Sequence, residues 1–487
     1  MSFFTPNNLQ SVTSGRWLKR GDDQFLLHGV GIDTRSDLMN KAYFAIRGQQ
    51  YDGHDFLGDA VAAGAKMLFV DRDIDDGVLA HDVSIVKVSD SVTALGRMAR
   101  AYRQTLNSTK VIAITGSAGK TTAKRLIEAV LSGSLRGTAA PRSFNNNIGL
   151  PLSILRAEPK DNYLILEIGA NTPGEIAHLS EIAMPDIAVI TMIGRSHLEG
   201  FGTVENVARE KASMLLFLNR GGLRVLHADS PELARCIKAP GKCITFGESP
   251  DADIRLTDRE VGASKNGGVS WFEVNGRFRY QLSLPGRHNA INALTAIAVG
   301  RRFGVSDESM SNALGQVDPV AMRFEKTCIG KVDVYNDTYN ANPDSVIAAL
   351  ETFAELKPRR RRRVIALGDM LELGDKCEEL HREIGRYILD NESHLKIDFV
   401  VTVGKHAAYI ADELAVKWPA KRIASFRKGN KDTLALLSSQ LRDGGAVLLK
   451  GSRGVGLDKL VGRLKKSLDL SNKMKKPAKQ GKRKKKT

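Results

Sequence analysis

The stretch Val111-Ile112-Ala113-Ile114-Thr115-Gly116-Ser117-Ala118-Gly119-Lys120-Thr121-Thr122 constrains this chain more than any other. A short β-branched apolar run ends in glycine, as a buried parallel strand does. A helical pattern follows from Thr121 to about Leu131. Strand, glycine-rich turn and helix, in that order, aim backbone N–H groups at an anion, and the helix dipole adds to them. The expected phosphate cradle is Gly116, Ser117, Ala118, Gly119, Lys120, Thr121 and Thr122. Lys120 supplies a point charge for outer phosphates, and the Thr121 hydroxyl suits magnesium. The strict form G-x-x-x-x-G-K-T would need glycine at Ile114, so the pattern here is the shorter G-x-x-G-K-T-T. The plainer reading is a glycine-rich turn with no nucleotide. The Lys-Thr pair directly after Gly119 argues against it.

The same strand style recurs. Tyr163–Ile168 and Asp186–Thr191 read as further strands, separated by helix-compatible sequence. That alternation predicts a parallel sheet with helices on both faces. Before it, Lys41–Ile46 and Lys66–Val70 read as strands, with a helix-like stretch from Phe56 to Ala63. After it, Arg363–Leu367, Phe399–Gly404 and Ala446–Gly451 repeat the alternation. At 487 residues, the chain is long enough for two to four domains. The expected fold class is α/β, in three domains. A first domain covers 1–107. A central P-loop domain, with its parallel sheet, covers 108–317. A C-terminal open α/β (Rossmann-like) domain covers 318–466, and 467–487 is expected to be a basic disordered tail.

The formal charge of +17 is unevenly placed. Nine Lys and Arg residues and no acids fall in Asn472–Thr487. A segment of that composition cannot bury a core. A second basic run, Arg359–Arg363, precedes an apolar strand. Both runs read first as solvated surface; the sharper reading is contact with nucleic acid or anionic lipid. No apolar run reaches the length of a membrane span, and no secretory signal is visible. Cys236, Cys243, Cys328 and Cys377 lack metal-ligand spacing and read as reduced thiols. A cytoplasmic monomer is expected.

Magnesium needs further oxygen ligands. Glu167 ends the second strand of the central domain, and His197 lies just past the end of the third. Ligands gather at the carboxyl ends of strands in open α/β sheets, so both are candidate metal ligands beside Thr121. Each alone would read as a surface residue. Lys211, on the helix-like stretch 204–218, would by itself read as solvent-facing.

Taken together these residues resemble the Mur ligases, and among them the branch that adds D-alanyl-D-alanine to UDP-N-acetylmuramoyl-tripeptide. The resemblance rests on Ser143–Pro151, Leu166–Asn171 with Gly174–Ile176, His197–Gly202, Pro285–Leu294, Asn336–Pro343, Leu367–Gly374 and Lys450–Gly454. Asp33–Arg35 and Tyr51–Phe56 add to it. It spans about 33 to 461 in order.

The resemblance implies ATP-driven amide formation through an acyl phosphate, with two magnesium ions. It implies catalytic roles for Lys120, Lys211, His197 and Arg323, and metal ligation by Thr121, Glu167 and His197. Lys211 matches a lysine that is often carbamylated in the family. Asn289 and Asn292 would read adenine, and Asp337 the ribose. Asn145, Asn146, Asn147, Asn340 and Asn342 would lie near the acceptor peptide or the incoming amine. Asp33, Thr34, Arg35 and His54 would meet the UDP-sugar. Ala118 departs from the asparagine common in the family, and the tail has no family counterpart. Rival readings are a ligase adding the third amino acid, a folylpolyglutamate synthase, an RNA-binding P-loop ATPase and a non-catalytic interaction protein. The asparagine-rich stretches argue against the first two, and the set of Lys120, Thr121, Glu167 and His197 against the last.

Overall fold

The computed structural model describes residues 2–21, 26–74, 82–141, 144–237, 241–261, 270–356 and 362–474, with the side chains of 469–474 left out. The chain packs as two compact units. The first holds 1–193, 208–255 and 292–313, and the second 194–207, 256–291 and 314–487.

The first unit carries two sheets. The smaller one is ordered Arg16–Lys19, Ser84–Lys87, Met67–Val70, Ala42–Phe44, Val30–Gly31. Its three inner strands are buried along most of their length, and two of them, Met67–Val70 and Ala42–Phe44, are the apolar runs read from the sequence. The larger sheet is built around Lys110–Thr115. Tyr163–Glu167 lies parallel on one side of it and Ile187–Ile190 on the other. Gly137–Ala139 closes one edge, and Leu223–His227, Cys243–Gly247 and Ile254–Arg255 extend the other, all parallel. The register sets Ile114 opposite Glu167, and Thr115 opposite Ile190. The Gly116–Thr122 turn thus leaves the sheet between two strand ends.

In the second unit, Leu256–Glu260 pairs antiparallel with Ser270–Val274, which pairs with Phe278–Leu282. The main sheet is ordered Glu325–Ile329, Val332–Asp337, Gly445–Lys450, Arg363–Gly368, Phe399–Val403, Ile423–Phe426. Only the first pairing is antiparallel. The α/β expectation for both halves holds, and every strand expected from the apolar runs is present within a few residues.

Two expectations about charge are corrected. Arg363 is buried: its backbone N–H donates to Asp398, its guanidinium donates to the Leu356 carbonyl, and its plane lies 4.7 Å from the Phe353 ring. It is a strand residue and not solvated surface; 359–361 of that run lie outside the described residues. The last helix runs Leu457–Met474, past the expected tail boundary at 467, because Leu464 and Leu468 continue its apolar face onto the core. Residues 475–487 lie outside the described residues. None of the four cysteines forms a disulfide. Among the described residues no helix is long and apolar enough to cross a membrane.

Candidate active site

The turn after Lys110–Thr115 is fixed by its neighbours. Gly116 has φ 144° and Gly119 φ 85°, both in the region glycine alone adopts easily. A Cβ on Gly116 would lie 1.9 Å from Thr191 Oγ1, and one on Gly119 2.3 Å from Asn292 Oδ1. Both glycines are therefore required twice over. Thr191 Oγ1 donates to the Thr115 and Ala118 carbonyls at 3.1 and 2.6 Å. Ser117 N–H donates to the Met192 carbonyl at 2.9 Å. Lys120 starts the helix Lys120–Ser132 and its Nζ donates to the Gly116 carbonyl at 2.6 Å, so its ammonium sits across the turn.

The strand register brings Glu167 to this helix. Thr121 Oγ1 donates to Glu167 Oε2 at 3.0 Å and approaches Oε1 at 3.2 Å. Asn145 Nδ2 donates to Oε1 at 3.2 Å. Lys124 Nζ stands 3.7 Å from Oε2 and donates to the Ala140 carbonyl at 2.8 Å. Thr121, Lys124 and Glu167 are buried. A buried carboxylate next to a hydroxyl is a hard-oxygen pair of the kind magnesium takes. Among the described residues no group of three or more His, Cys, Asp and Glu side chains could hold a metal. The pair therefore fits an ion whose other ligands are phosphate oxygens and water. Sequence reasoning missed Lys124, which reads as an ordinary helix lysine.

Lys211 is buried, not solvent-facing as its lone reading would have it. Burial, and then the charge of Lys120, lower its pKa to about 7. Its neighbour Glu210 accepts the backbone N–H groups of Gly174 and Ile176 at 2.9 and 2.8 Å, holding the start of helix Glu175–Ala183.

His197 belongs to the second unit. It has φ 53° and precedes the short helix Leu198–Phe201. Its Nδ1 lies 2.6 Å from Glu372 Oε2, close but off the line of a regular hydrogen bond. Burial would raise the Glu372 pKa, but His197 outweighs it and holds that carboxyl below its usual range. Arg323 lies 4.3 Å from the Tyr339 ring, between Met322 and Phe324, both at positive φ. Asp337 Oδ2 accepts from Lys450 Nζ at 2.7 Å, and its Oδ1 from Phe324 N–H at 3.2 Å. Asn289 and Asn292 lie one turn apart on helix Arg287–Arg302, both buried. Asn289 spends an amide hydrogen on the Pro285 carbonyl at 2.6 Å.

Several expected substrate residues have structural work. Both ring nitrogens of buried His54 are engaged: Nδ1 with Asp52 at 2.6 Å, and Nε2 with the Asp71 N–H at 3.2 Å. It ties a turn to a strand end. Asn342 caps helix Pro343–Glu355 in a reciprocal box with Ser345. Asn146 Oδ1 accepts from Gly149 N–H at 2.9 Å and braces the turn that leads into helix Gly149–Ile154. Asn147 and Asn340 are exposed, and the Asn340 side chain accepts from Ala341 N–H. Asp33 grips Arg35 through its backbone and guanidinium, which holds the Asp33 carboxyl down at about 2; Thr34 lies between them, half-buried.

Comparison with known proteins bears directly on this arrangement. The family model of the Mur ligase middle domain matches 114–300. That of the Mur ligase glutamate ligase domain matches 322–453, and that of the Mur ligase catalytic domain 26–103. A UDP-N-acetylmuramoyl-tripeptide–D-alanyl-D-alanine ligase of Bacillus subtilis is 35% identical over 460 residues, covering 94% of this chain and 97% of its own. The chain belongs to the Mur ligase family. A ligase of the same name from Escherichia coli is 30% identical, with 89% and 93% covered. A crystal structure of MurF from Acinetobacter baumannii superposes with a TM-score of 0.83 at 27% identity, over 95% of this chain and 99% of that one. MurF of Thermotoga maritima, solved in complex with ADP, gives 0.77 at 27% identity over 91% and 98%. Mur ligases are ATP-dependent and form C–N bonds, which is the chemistry a phosphate cradle with a buried hydroxyl–carboxylate pair can serve.

Proposed function

We propose that this Mur ligase joins D-alanyl-D-alanine to UDP-N-acetylmuramoyl-tripeptide at the expense of ATP. The observation that carries the reading is the cluster behind the Gly116–Thr122 turn, in which buried Thr121 and Glu167 meet half-buried Asn145. It links the phosphate site to the asparagine-rich segment that marks this branch.

The peptide carboxylate attacks the γ-phosphorus. A carboxyl O–P bond forms, the β–γ bridging bond breaks, and ADP leaves. The D-alanyl-D-alanine amine then attacks the acyl carbon. Phosphate departs and the amine loses a proton. Lys120 and the backbone N–H groups of the turn hold the phosphates and meet the charge that develops on them. Thr121 and Glu167 would hold one magnesium ion and His197 a second. When bound, magnesium neutralises phosphate charge and orients the γ-phosphoryl group. Asn289 and Asn292 read adenine, Asp337 the ribose, and Arg323 lies near the phosphates. Asp33, Thr34 and Arg35 meet the UDP-sugar.

Lys211 is suited to carbamylation. With a pKa of about 7, much of its amine is uncharged near neutrality. An uncharged amine adds CO2 and releases a proton. The resulting carbamate is an anion that the neighbouring charge of Lys120 stabilises. The protein works as a cytoplasmic monomer.

Phosphate release is measured with ATP, magnesium and UDP-muramoyl-tripeptide, with and without D-alanyl-D-alanine. Release should depend on the dipeptide. Equal release in its absence would refute the reading.

A further inference from the structure

His197 sits in a backbone conformation that a non-glycine residue adopts only when its surroundings impose it. The surroundings are specific. Two residues upstream, Arg195 makes a double fork. Its backbone N–H, Nε and Nη2 donate to Asp344 at 2.7, 3.0 and 2.7 Å. Its Nη1 donates to both oxygens of Glu383 at 2.6 and 2.7 Å. Asp344 opens helix Pro343–Glu355, and Glu383 lies in helix Cys377–Asp390. Two residues downstream, the Glu199 N–H donates to the Glu372 carbonyl at 3.1 Å. Glu372 has φ 63°, and its carboxylate meets the imidazole Nδ1 at 2.6 Å.

We infer that Arg195 and Glu372 are positioning residues that present His197 as a ligand through Nε2. The inference rests on the proposed role of His197 at the nucleotide's cation. Nδ1 lies 2.6 Å from a carboxylate oxygen, off the line of a regular hydrogen bond, and at that distance two bare lone-pair atoms repel, so the proton belongs on Nδ1. In neutral imidazole that leaves the lone pair on Nε2. A carboxylate behind the ring is how proteins commonly fix a metal-binding histidine. Arg195 supplies the other half. Its fork holds the segment so that the left-handed turn at His197 persists. A lysine could keep the charge but not the paired geometry.

The test uses the full chain labelled with 15N-histidine, with the His197 signal assigned by its loss in His197→Gln. Long-range 1H–15N spectra should show the Nδ1–H tautomer in the wild type. Glu372→Ala should shift it toward Nε2–H, and Glu372→Gln should restore part of it. Glu372→Ala should also raise the magnesium concentration for half-maximal activity about tenfold, with little change in kcat at saturating magnesium. Arg195→Lys should raise it several-fold with an unchanged melting temperature. An Nε2–H tautomer in the wild type, or an Nδ1–H tautomer untouched in Glu372→Ala, overturns the role of Glu372. Wild-type magnesium dependence in Arg195→Lys overturns that of Arg195. The tautomer reads out without turnover, so it stands apart from any failure of the ligase reading, which dipeptide-independent phosphate release would expose.

Discussion

The Thr121 hydroxyl donates to the Glu167 carboxylate, 3.0 Å to Oε2, and so joins the first turn of the phosphate helix to the end of the adjacent strand. The sheet register that sets Ile114 opposite Glu167 makes this contact possible. Glu167→Gln keeps the shape and an acceptor for Thr121 but removes the anion. Turnover should fall about 100-fold and the magnesium requirement should rise. Lys120→Ala removes the charge across the turn and should cost about a thousandfold in kcat. Steady-state phosphate release measures both. Near-wild-type turnover in either variant would remove that residue from the site.

Gly119 meets two demands, a positive φ and space against Asn292. Gly119→Ala should weaken ADP binding about tenfold or more, since a left-handed alanine costs about 1–2 kcal/mol before any clash. Calorimetric titration with ADP measures the loss; wild-type affinity in Gly119→Ala would mean that the turn does not hold the nucleotide.

Lys211 has a pKa of about 7 in the fold against 10.5 for an ordinary lysine. Between these values the unfolded chain binds more protons, so stability rises with pH across the window. Below pH 7 the fold carries the full cost of a buried ammonium. Lys211→Met has no such cost. In CO2-free buffer, the gap in urea midpoint between variant and wild type should narrow from pH 7 to pH 10. A gap that does not change with pH would mean that Lys211 keeps an ordinary pKa.

His288 is half-buried beside Thr352, and desolvation lowers its pKa to about 4 from 6.5. Between pH 6.5 and 4 the unfolded chain takes up a proton that the fold refuses, so stability falls as pH falls through that window. The slope from this one group is at most about 1.4 kcal/mol per pH unit. His288→Asn should flatten the acid limb of a stability–pH curve whatever it does to stability at pH 7. An unchanged slope would place the acid sensitivity elsewhere.

Much of the architecture was legible because buried parallel strands announce themselves. Val111–Thr115, Phe399–Val403 and Ala446–Lys450 are apolar runs ending near glycine, and all are strands. The hairpin Ser270–Leu282 was not foreseen. Its faces alternate buried and exposed residues, so it carries no continuous apolar run. The meeting of the Gly116–Thr122 turn with Glu167 was foreseeable from their positions at adjacent strand ends. Lys124, Glu372 and Arg195 were not. Each acts through a partner far away in the chain, and nothing local to a lysine, glutamate or arginine shows which partner it meets. Nor was the local work of His54 and Asn342 legible: the His54 ring braces a turn against a strand end, and the Asn342 side-chain oxygen caps a helix.

The sequence by itself determined the strand–turn–helix phosphate site, the α/β alternation and the family. These depend on residue type and short-range spacing, which a linear chain displays. Tertiary structure decided which polar groups are buried together. It set Glu167 against Thr121, took Lys211 out of water, turned His197 toward Glu372 and drew 194–207 into the second unit. The reason is that charge, protonation and ligand geometry depend on distance and desolvation, and both arise only when segments remote in sequence pack against one another.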